Sequence, residues 1–447
     1  MAEHNEATYE DNLFAVADGQ GATVAQVMGA VTGLVGRHEA LRTLLRFDDD
    51  PRGTQRVTSV RAPDVEAAVR VESFREATDL FTRARHTSFD LATQWPFQAV
   101  VSTEGPRVRE IGLVADHSAV DAWGLKVMRQ DLEGLLRGTL PPLPTGGTDI
   151  TQPLDVVRWE ESESGQRHLE RASRYWTRQF EELGSAAVSP AGVDGRRQAG
   201  PAASDRHSSC VLRSTSLLTA AEAASAALRV PVSTVLLTGF GLALCRWGGM
   251  RAVGVLTLTH NRWLGNVKAC ASKMFMQAPV VVDIPSPADL SRVARRTFVR
   301  QAQAGEFAHI DRAEADAIRD RVLPGADSIR AAGALFNFTD ASLHAFTERE
   351  KGPLEASIAR WPFPDEEIVV EEERRHGPQL MLTVLQEKHS IALRLAWCLD
   401  AELTRPGELF MRDIVDAVWT LAGGRRPRQL PRPGGSRASA DATAPPS

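Results

Sequence analysis

The residues best suited to chemistry are a histidine and an aspartate in the segment 116–123, which reads Asp-His-Ser-Ala-Val-Asp-Ala-Trp. His117 stands four positions before Asp121. A histidine side chain suits proton transfer at neutral pH because its unperturbed pKa is about 6.5. The spacing predicts that His117 acts as a general base and that Asp121 fixes the ring or organises the turn. It also fits a buried turn histidine followed by an aspartate that caps a helix.

The elements on either side of this pair predict its position in the fold. Residues 108–115 are mostly apolar and predict a strand, whereas the apolar side chains of 125–136 have the three-to-four spacing of an amphipathic helix. The pair then lies at a strand-to-helix turn, where a rigid scaffold commonly presents catalytic groups.

The rest of the chain mixes helices and strands. Predicted helices span 23–45, 73–84, 154–183, 217–228, 231–247, 287–304 and 409–421, and predicted strands span 56–59, 69–71, 97–102, 209–212, 253–258, 278–284, 334–338, 367–372, 380–386 and 390–397. Both halves have similar content, which predicts an α/β (α+β) protein with two comparable lobes.

The division of the chain follows from a linker rich in Ala, Gly, Pro and Ser at 184–205. We expect a first lobe at 1–155, a connecting helix and linker at 156–206, a second lobe at 207–422 and a disordered tail at 423–447.

The composition narrows the classes of partner. The chain has 447 residues and a net charge of −5, without the strong basic patch of a general nucleic-acid binder. No apolar run is long enough to span a bilayer, and residues 1–6 lack the basic and apolar regions of a signal peptide. The four cysteines are scattered and form no Cys-x-x-Cys pair. We therefore expect a reduced, cytoplasmic protein that binds neither nucleic acid nor a membrane.

Signatures of metal and cofactor chemistry are missing from the sequence. It contains no Gly-x-x-x-x-Gly-Lys phosphate loop, no Gly-x-Gly-x-x-Gly after a strand, no His-Glu-x-x-His pair and no Gly-x-Ser-x-Gly elbow. We expect no metal and no bound cofactor.

Five segments together resemble the condensation domains of nonribosomal peptide synthesis, within the superfamily of His-x-x-x-Asp acyltransferases that includes chloramphenicol acetyltransferase. The segments are residues 37–43 (Arg-His-Glu-Ala-Leu-Arg-Thr), 116–123, Tyr175-Trp176 with Phe180, 260–262 (His-Asn-Arg) and 336–338 (Phe-Asn-Phe). They follow the order of the family's motifs and extend the resemblance from about residue 23 to about residue 421.

The resemblance implies a V-shaped pseudodimer of two chloramphenicol-acetyltransferase-like lobes. It implies that His117 is catalytic and that Asp121 is structural, paired with Arg262 from the second lobe. Trp123, Asn337 and Met276 are candidates for the lining of a substrate tunnel.

The resemblance also implies the partners. An acyl or peptidyl carrier protein would supply the thioester on its phosphopantetheine arm, and an amine or hydroxyl would accept the acyl group. The acceptor could be a small molecule. We expect a stand-alone enzyme that acts in trans, and a monomer because a two-lobed pseudodimer has little need to self-associate.

Three departures from the family's motifs keep other functions open. Asp116 replaces the first histidine of the active-site pair, Ala122 replaces its glycine, and 272–276 (Ser-Lys-Met-Phe-Met) replaces the family's Gly-Phe-Phe-x-Asn segment. One alternative is a catalytically silent relative that docks carrier proteins or recruits another enzyme. Another is heterocyclization or other repurposed chemistry, because Asp116 and Asp121 spell the Asp-x-x-x-x-Asp signature of heterocyclization domains. Those domains lack the second histidine, which this chain keeps, so condensation ranks first.

Overall fold

The computed structural model describes residues 12–47, 53–73, 88–141, 150–185, 206–248, 251–284, 289–323, 334–340, 368–374, 380–398 and 407–424. Its strands are β1 (Leu13–Asp18), β2 (Thr43–Arg46), β3 (Thr54–Val57), β4 (Val69–Ser73), β5 (Phe97–Glu104), β6 (Arg107–Ala115), β7 (Arg206–Ser214), β8 (Ala252–Thr259), β9 (Met276–Asp283), β10 (Ala334–Asp340), β11 (Ile368–Arg374), β12 (Leu380–Gln386) and β13 (Ile391–Cys398). Its α-helices are α1 (Val24–Arg37), α2 (Ala62–Ala68), α3 (Ala122–Leu136), α4 (Pro153–Glu161), α5 (Glu163–Ser185), α6 (Thr215–Leu228), α7 (Val232–Gly248), α8 (Leu290–Phe307), α9 (Arg312–Val322) and α10 (Gly407–Leu421).

The first lobe is built on a four-stranded sheet in the order β1-β6-β5-β4. β6 pairs antiparallel with both β1 and β5, and β4 pairs parallel with β5. Alternate residues of β5 and β6, such as Phe97, Ala99 and Leu113, share one core with α1 and α3. This packing fixes the junction between the end of β6 and the start of α3, where His117 lies.

The second lobe is built on a seven-stranded sheet in the order β11-β7-β13-β12-β10-β8-β9. β10 runs parallel to β8 and β12, whereas the other pairings are antiparallel. One face of the sheet packs on α6, α7, α8 and α10 in a core larger than that of the first lobe. β2 and β3 form a separate two-stranded sheet.

The helices differ from the sequence-based expectation in several places, and α2 (Ala62–Ala68) was not predicted. The helix expected at 23–45 ends at Arg37, and the chain continues as a 3₁₀ turn and then β2. The helix expected at 154–183 is two helices, because Ser162 interrupts it and its hydroxyl donates to the carbonyl of Trp159. α9 was not predicted, and its N-cap is Asp311, whose carboxylate accepts two backbone N–H bonds.

The helix expected at 287–304 begins at Leu290, capped by Asp289. Of the helix expected at 73–84, Ser73 is the last residue of β4 and the other residues lie outside the described ones, as do the linker beyond residue 185 and the tail beyond residue 424.

α5 packs on the second lobe. Tyr175, Trp176 and Phe180 belong to the second core, the Tyr175 hydroxyl donates to the carbonyl of Pro279, and the Trp176 indole donates to the carbonyl of Phe307. The exact bounds of the four predicted regions stay a prediction.

Among the described residues, no single helix is long and apolar enough to cross a bilayer, although Thr215–Leu228 and Val232–Trp247, bent by 102°, satisfy length and composition as a pair.

Candidate active site

His117 lies in the turn between β6 and α3 and is half-buried. Its Nδ1 is 2.8 Å from the carbonyl oxygen of Val120. Because a carbonyl oxygen can only accept, Nδ1 carries the hydrogen, and Nε2 of the neutral ring keeps a lone pair. The ring centroid is 5.4 Å from that of Phe275, which comes from the second lobe. This arrangement leaves Nε2 as a base held in a fixed orientation.

Asp116 shapes the turn around His117. Its Oδ1 accepts a hydrogen bond of 2.7 Å from the amide of Ser118, and its carbonyl accepts from the amides of Ala119 and Val120. Its own amide donates to the carbonyl of Pro96. The carboxylate thus forms the side-chain-to-backbone turn that aspartate commonly makes.

Asp121 and Arg262 form a buried, two-pronged ion pair between the lobes. Arg262 Nη1 is 2.7 Å from Asp121 Oδ2 and Arg262 Nη2 is 2.8 Å from Oδ1, with side-chain exposures of 0% and 5% for arginine and aspartate. This is the pair that the resemblance implied. Asp121 also caps α3, because its Oδ1 accepts from the amide of Gly124 at 2.8 Å. The sequence predicted that Asp121 either fixes the His117 ring or organises the turn. These contacts show that it organises the turn.

A segment of the second lobe, residues 270–275, crosses onto the first lobe at this point; we call it the crossing segment. The amides of Met274 and Phe275 donate to Asp121 Oδ2 at 2.9 and 3.1 Å. The carbonyl of Ser272 accepts from Arg262 Nη2 at 2.6 Å. Asp121 thus binds an arginine and three backbone amides, which explains how its negative charge is tolerated in the interior.

Gly124 is a functional position that the spacing of residues did not indicate. A Cβ at this position would lie 2.6 Å from the carbonyl oxygen of Ser272. Only glycine allows the crossing segment to approach the first turn of α3 this closely. Ala122, which replaces the motif's glycine, is the first residue of α3 and is half-buried.

Trp123 covers the outer side of the ion pair. Its indole N–H donates to the carbonyl of Lys268 at 2.9 Å, and the guanidinium carbon of Arg262 lies 5.9 Å from its ring. The ring of His260 lies 5.7 Å away. Loss of hydration on the covered side of His260, together with the charges of Arg262 and Lys268, lowers the pKa of this imidazole. Its Nδ1 accepts the amide N–H of Arg262, which fits the neutral form.

Within the described residues, no hydrogen bond or ring contact joins any of the three tunnel candidates to His117. Met276 is the first residue of β9, and Asn337 lies in the middle of β10, with both half-buried. Their assignment to a tunnel stays a prediction.

Cys210, Cys245 and Cys270 are buried single thiols. Burial raises the pKa of Cys210 and Cys245 to about 12 and that of Cys270 to about 11, so these thiols are neutral at physiological pH. In the part of the chain that the structure describes, no group of three or more His, Cys, Asp or Glu side chains could hold a metal ion.

The chain belongs to the Condensation domain family, whose profile matches residues 13–306. It is similar to N-(5-amino-5-carboxypentanoyl)-L-cysteinyl-D-valine synthase of Amycolatopsis lactamdurans, with 31% identity over 158 residues. That alignment covers 35% of this chain and 4% of the synthase, so the chain matches a small part of that relative.

Solved structures share the fold over almost the whole chain. A structure from work on condensation-domain-mediated chain release from the enacyloxin polyketide synthase matches with a TM-score of 0.68 and 20% identity, covering 98% of this chain and 80% of that one. SgcC5 of Streptomyces globisporus, solved with a naphthyl ethanediol and sucrose, matches with a TM-score of 0.63 and 17% identity, covering 93% of each chain. The predicted two-lobed, chloramphenicol-acetyltransferase-like fold is confirmed.

Proposed function

We propose that this protein is a condensation-type acyltransferase that joins a carrier-bound acyl thioester to an amine or a hydroxyl. The observation that carries the proposal is the orientation of His117. Its Nδ1–H is committed to the carbonyl of Val120, so Nε2 is free to take a proton. Family membership supports the proposed class of substrate, and the geometry supports the proposed role of His117.

The reaction balances with this one base. The acceptor nitrogen or oxygen attacks the thioester carbonyl and gives a proton to Nε2 of His117. The carbon–sulfur bond then breaks, and the arm's sulfur leaves as a thiol after it receives that proton. The phosphopantetheine arm arrives with the carrier protein, so the enzyme needs no bound cofactor of its own. A base placed in this way increases the rate by a factor of about 10²–10⁴.

Asp121 and Arg262 do not contact His117 in this scheme. The Asp121–Arg262 ion pair and the amides of the crossing segment fix the turn through Asp121. The carbonyl of Val120 fixes the His117 ring. Asp116 acts on the same turn through Ser118. We assign these three charged residues a positioning role and His117 the catalytic one. Trp123, Asn337 and Met276 remain proposed tunnel residues.

Intact-protein mass spectrometry tests the proposal. The protein is mixed with acyl-loaded carrier proteins from its own source and with a panel of small amines and alcohols. We expect the wild type to remove the acyl mass from the carrier, and the His117→Ala variant to do so about 10²–10⁴ times more slowly. His389→Ala is a matched control, because His389 is exposed in the turn between β12 and β13. Transfer at the wild-type rate by His117→Ala would disprove the proposal.

A catalytically silent docking domain is the second candidate, favoured by the replacements at Asp116 and Ala122. It predicts a complex with loaded carrier protein and an unchanged carrier mass. Heterocyclization predicts that Asp116→Asn abolishes product formation and that His117→Ala does not. The hydrogen bond from Ser118 to Asp116 instead supports a structural role for that carboxylate.

Two wider expectations belong to this proposal. We propose that the enzyme works in the cytoplasm as a monomer. Gel filtration with light scattering tests the second point, with a mass near 48.7 kDa expected for the monomer.

A further inference from the structure

We propose that His38 is a positioning residue for His117 and acts through the crossing segment. His38 directly follows α1 and is fully buried, with 0% exposure. Its Nε2 is 3.0 Å from Asp131 Oδ2, and its Nδ1 is 3.1 Å from the backbone nitrogen of Ala271 in the second lobe. The ring therefore bridges a carboxylate of one lobe and an amide of the other.

The two partners fix the protonation of His38. A backbone N–H can only donate, so Nδ1 must hold a lone pair to accept from Ala271. The hydrogen of the neutral ring is then on Nε2 and is donated to Asp131. Asp131 also accepts from Nε of Arg37 at 3.0 Å. Burial acts to raise the pKa of Asp131, but the hydrogen bonds from His38 and Arg37 and the positive charge of Arg37 outweigh it and lower the pKa.

The crossing segment connects His38 to the active-site turn. Ala271 is followed by Ser272, whose carbonyl accepts from Arg262 at 2.6 Å and from the amide of Asp121 at 3.4 Å. Three residues further on, Phe275 donates its amide to Asp121 and places its ring beside His117. A shift at Ala271 would thus reach both the ring that flanks His117 and the residue that caps its turn.

Other contacts of the crossing segment do not replace the one to His38. The Ala271 side chain lies in the core of the first lobe with 0% exposure, so water does not reach the Ala271 amide in the folded protein. The neighbouring Cys270 thiol donates to Gln152 Oε1 at 3.6 Å, a weak bond. Removing the imidazole therefore leaves a buried donor at Ala271 without its acceptor, which favours local opening of the segment.

Hydrogen–deuterium exchange by mass spectrometry, combined with transfer kinetics, tests this inference. The variants are His38→Ala, His38→Asn and Asp131→Asn. Tyr175→Phe is the matched control, because it removes a buried bond from a side chain to a backbone carbonyl of the second lobe.

In His38→Ala we expect exchange of the peptide 267–275 to rise about tenfold or more, and exchange of 112–121 to rise as well. In Asp131→Asn the ring is free to move its hydrogen to Nδ1 and lose Ala271, so a similar rise is expected. In His38→Asn, Oδ1 occupies the acceptor position, so the rise should be smaller. Tyr175→Phe should leave both peptides within about twofold of the wild type.

The measurement of acyl-transfer kinetics rests on the proposed function. We expect kcat of His38→Ala to fall about tenfold, with the KM for the loaded carrier within about twofold, because a misplaced catalytic group slows the chemical step more than it weakens binding. His38→Asn should recover most of the loss.

The exchange and kinetic measurements together distinguish a failure of this inference from a failure of the proposed function. Unchanged exchange of 267–275 in folded His38→Ala overturns the inference, and so does an unchanged kcat beside raised exchange. If the wild type transfers no acyl group, the proposed function fails, and exchange of 112–121 alone decides whether His38 positions the turn. If His38→Ala does not fold, the nearly isosteric Asp131→Asn decides in its place.

Discussion

The turn that holds His117 and the end of α1 that holds His38 use the same side chain in opposite ways. At the turn, Nδ1 donates to a carbonyl and Nε2 keeps its lone pair. At the helix end, Nδ1 accepts from an amide and Nε2 donates to a carboxylate. The backbone group that meets Nδ1 decides which nitrogen can act as a base.

Burial separates the two histidines further. His38 has both nitrogens engaged and 0% exposure, so it can only hold structure. His117 is half-buried, and within the described residues its Nε2 has no hydrogen-bond partner. A histidine next to an aspartate is therefore weak evidence for catalysis until the partners of both nitrogens are known.

The largest contrast is expected between activity and stability. His117→Ala should lower acyl transfer about 10²–10⁴-fold and change the free energy of unfolding less than His38→Ala does, because the His117 ring is only half-buried. His38→Ala should lower the free energy of unfolding by about 1–3 kcal/mol, because it leaves a buried donor without a partner. Urea unfolding and single-turnover kinetics measure both. If the two variants had equal effects on the transfer rate, or equal effects on the free energy of unfolding, the two histidines would not have the different roles assigned to them.

The ion pair behind the His117 turn should be the next largest effect. Removing one partner of the Asp121–Arg262 pair leaves a buried charge, so Asp121→Ala or Arg262→Ala should cost about 3–5 kcal/mol of unfolding free energy. Arg262→Lys should also be destabilising, since lysine lacks the planar two-pronged donor. The double alanine variant should lose less than the sum of the single variants. Full additivity in urea unfolding would mean that the two side chains are not coupled.

Gly124 tests the close approach of the crossing segment. Gly124→Ala places a Cβ 2.6 Å from the carbonyl oxygen of Ser272, so we expect a loss of about 1–3 kcal/mol and a lower transfer rate. Gly29→Ala in α1 is the matched control, because its Cβ would meet nothing within 4 Å and alanine favours a helix. Thermal unfolding should show opposite shifts for the two variants, and a neutral Gly124→Ala would argue against a tight approach.

The smallest effect is expected in the acid range, at Asp131. Its pKa is lowered in the folded state, so the stability it contributes is present above the unfolded value of about 3.9 and is lost as the pH falls through the folded value. Asp131→Asn should be less stable than the wild type at neutral pH, and the difference should shrink below about pH 4. Urea midpoints from pH 7 to pH 2.5 measure it. A difference that grows on acidification would have the wrong sign.

Local sequence patterns were sufficient to predict the turn that holds His117 and most of the strands. The turn after β6 and the helix that begins at Ala122 were predicted because apolar spacing changes there from a strand to a helix. The helix after Thr23 was predicted too long, because Arg37 and the residue after it turn away to bind Asp131. Those contacts override the local helical preference.

Contacts between residues that are far apart in the sequence could not be predicted from local patterns. Gly124 is constrained by Ser272, and His38 is bound by Ala271, at separations that no spacing rule covers. The Asp121–Arg262 pair was predicted only because the resemblance aligned both positions with a family. The break at Ser162 had a local signal, since its hydroxyl accepts from the amide of Gly165 three residues later.

The crossing segment has a consequence for how the protein is made. All four strands of the first sheet precede residue 116, yet Ala271 fills part of the first core and supplies a partner of His38. A nascent chain that has just completed residues 1–155 already holds Asp131, the partner of His38 Nε2, but it lacks the Ala271 side chain in its core and the amide that binds His38 Nδ1. The core of the first lobe is complete only after the ribosome has added more than a hundred further residues. The speed of translation through the second lobe therefore sets how long the place of Ala271 in this core stays empty.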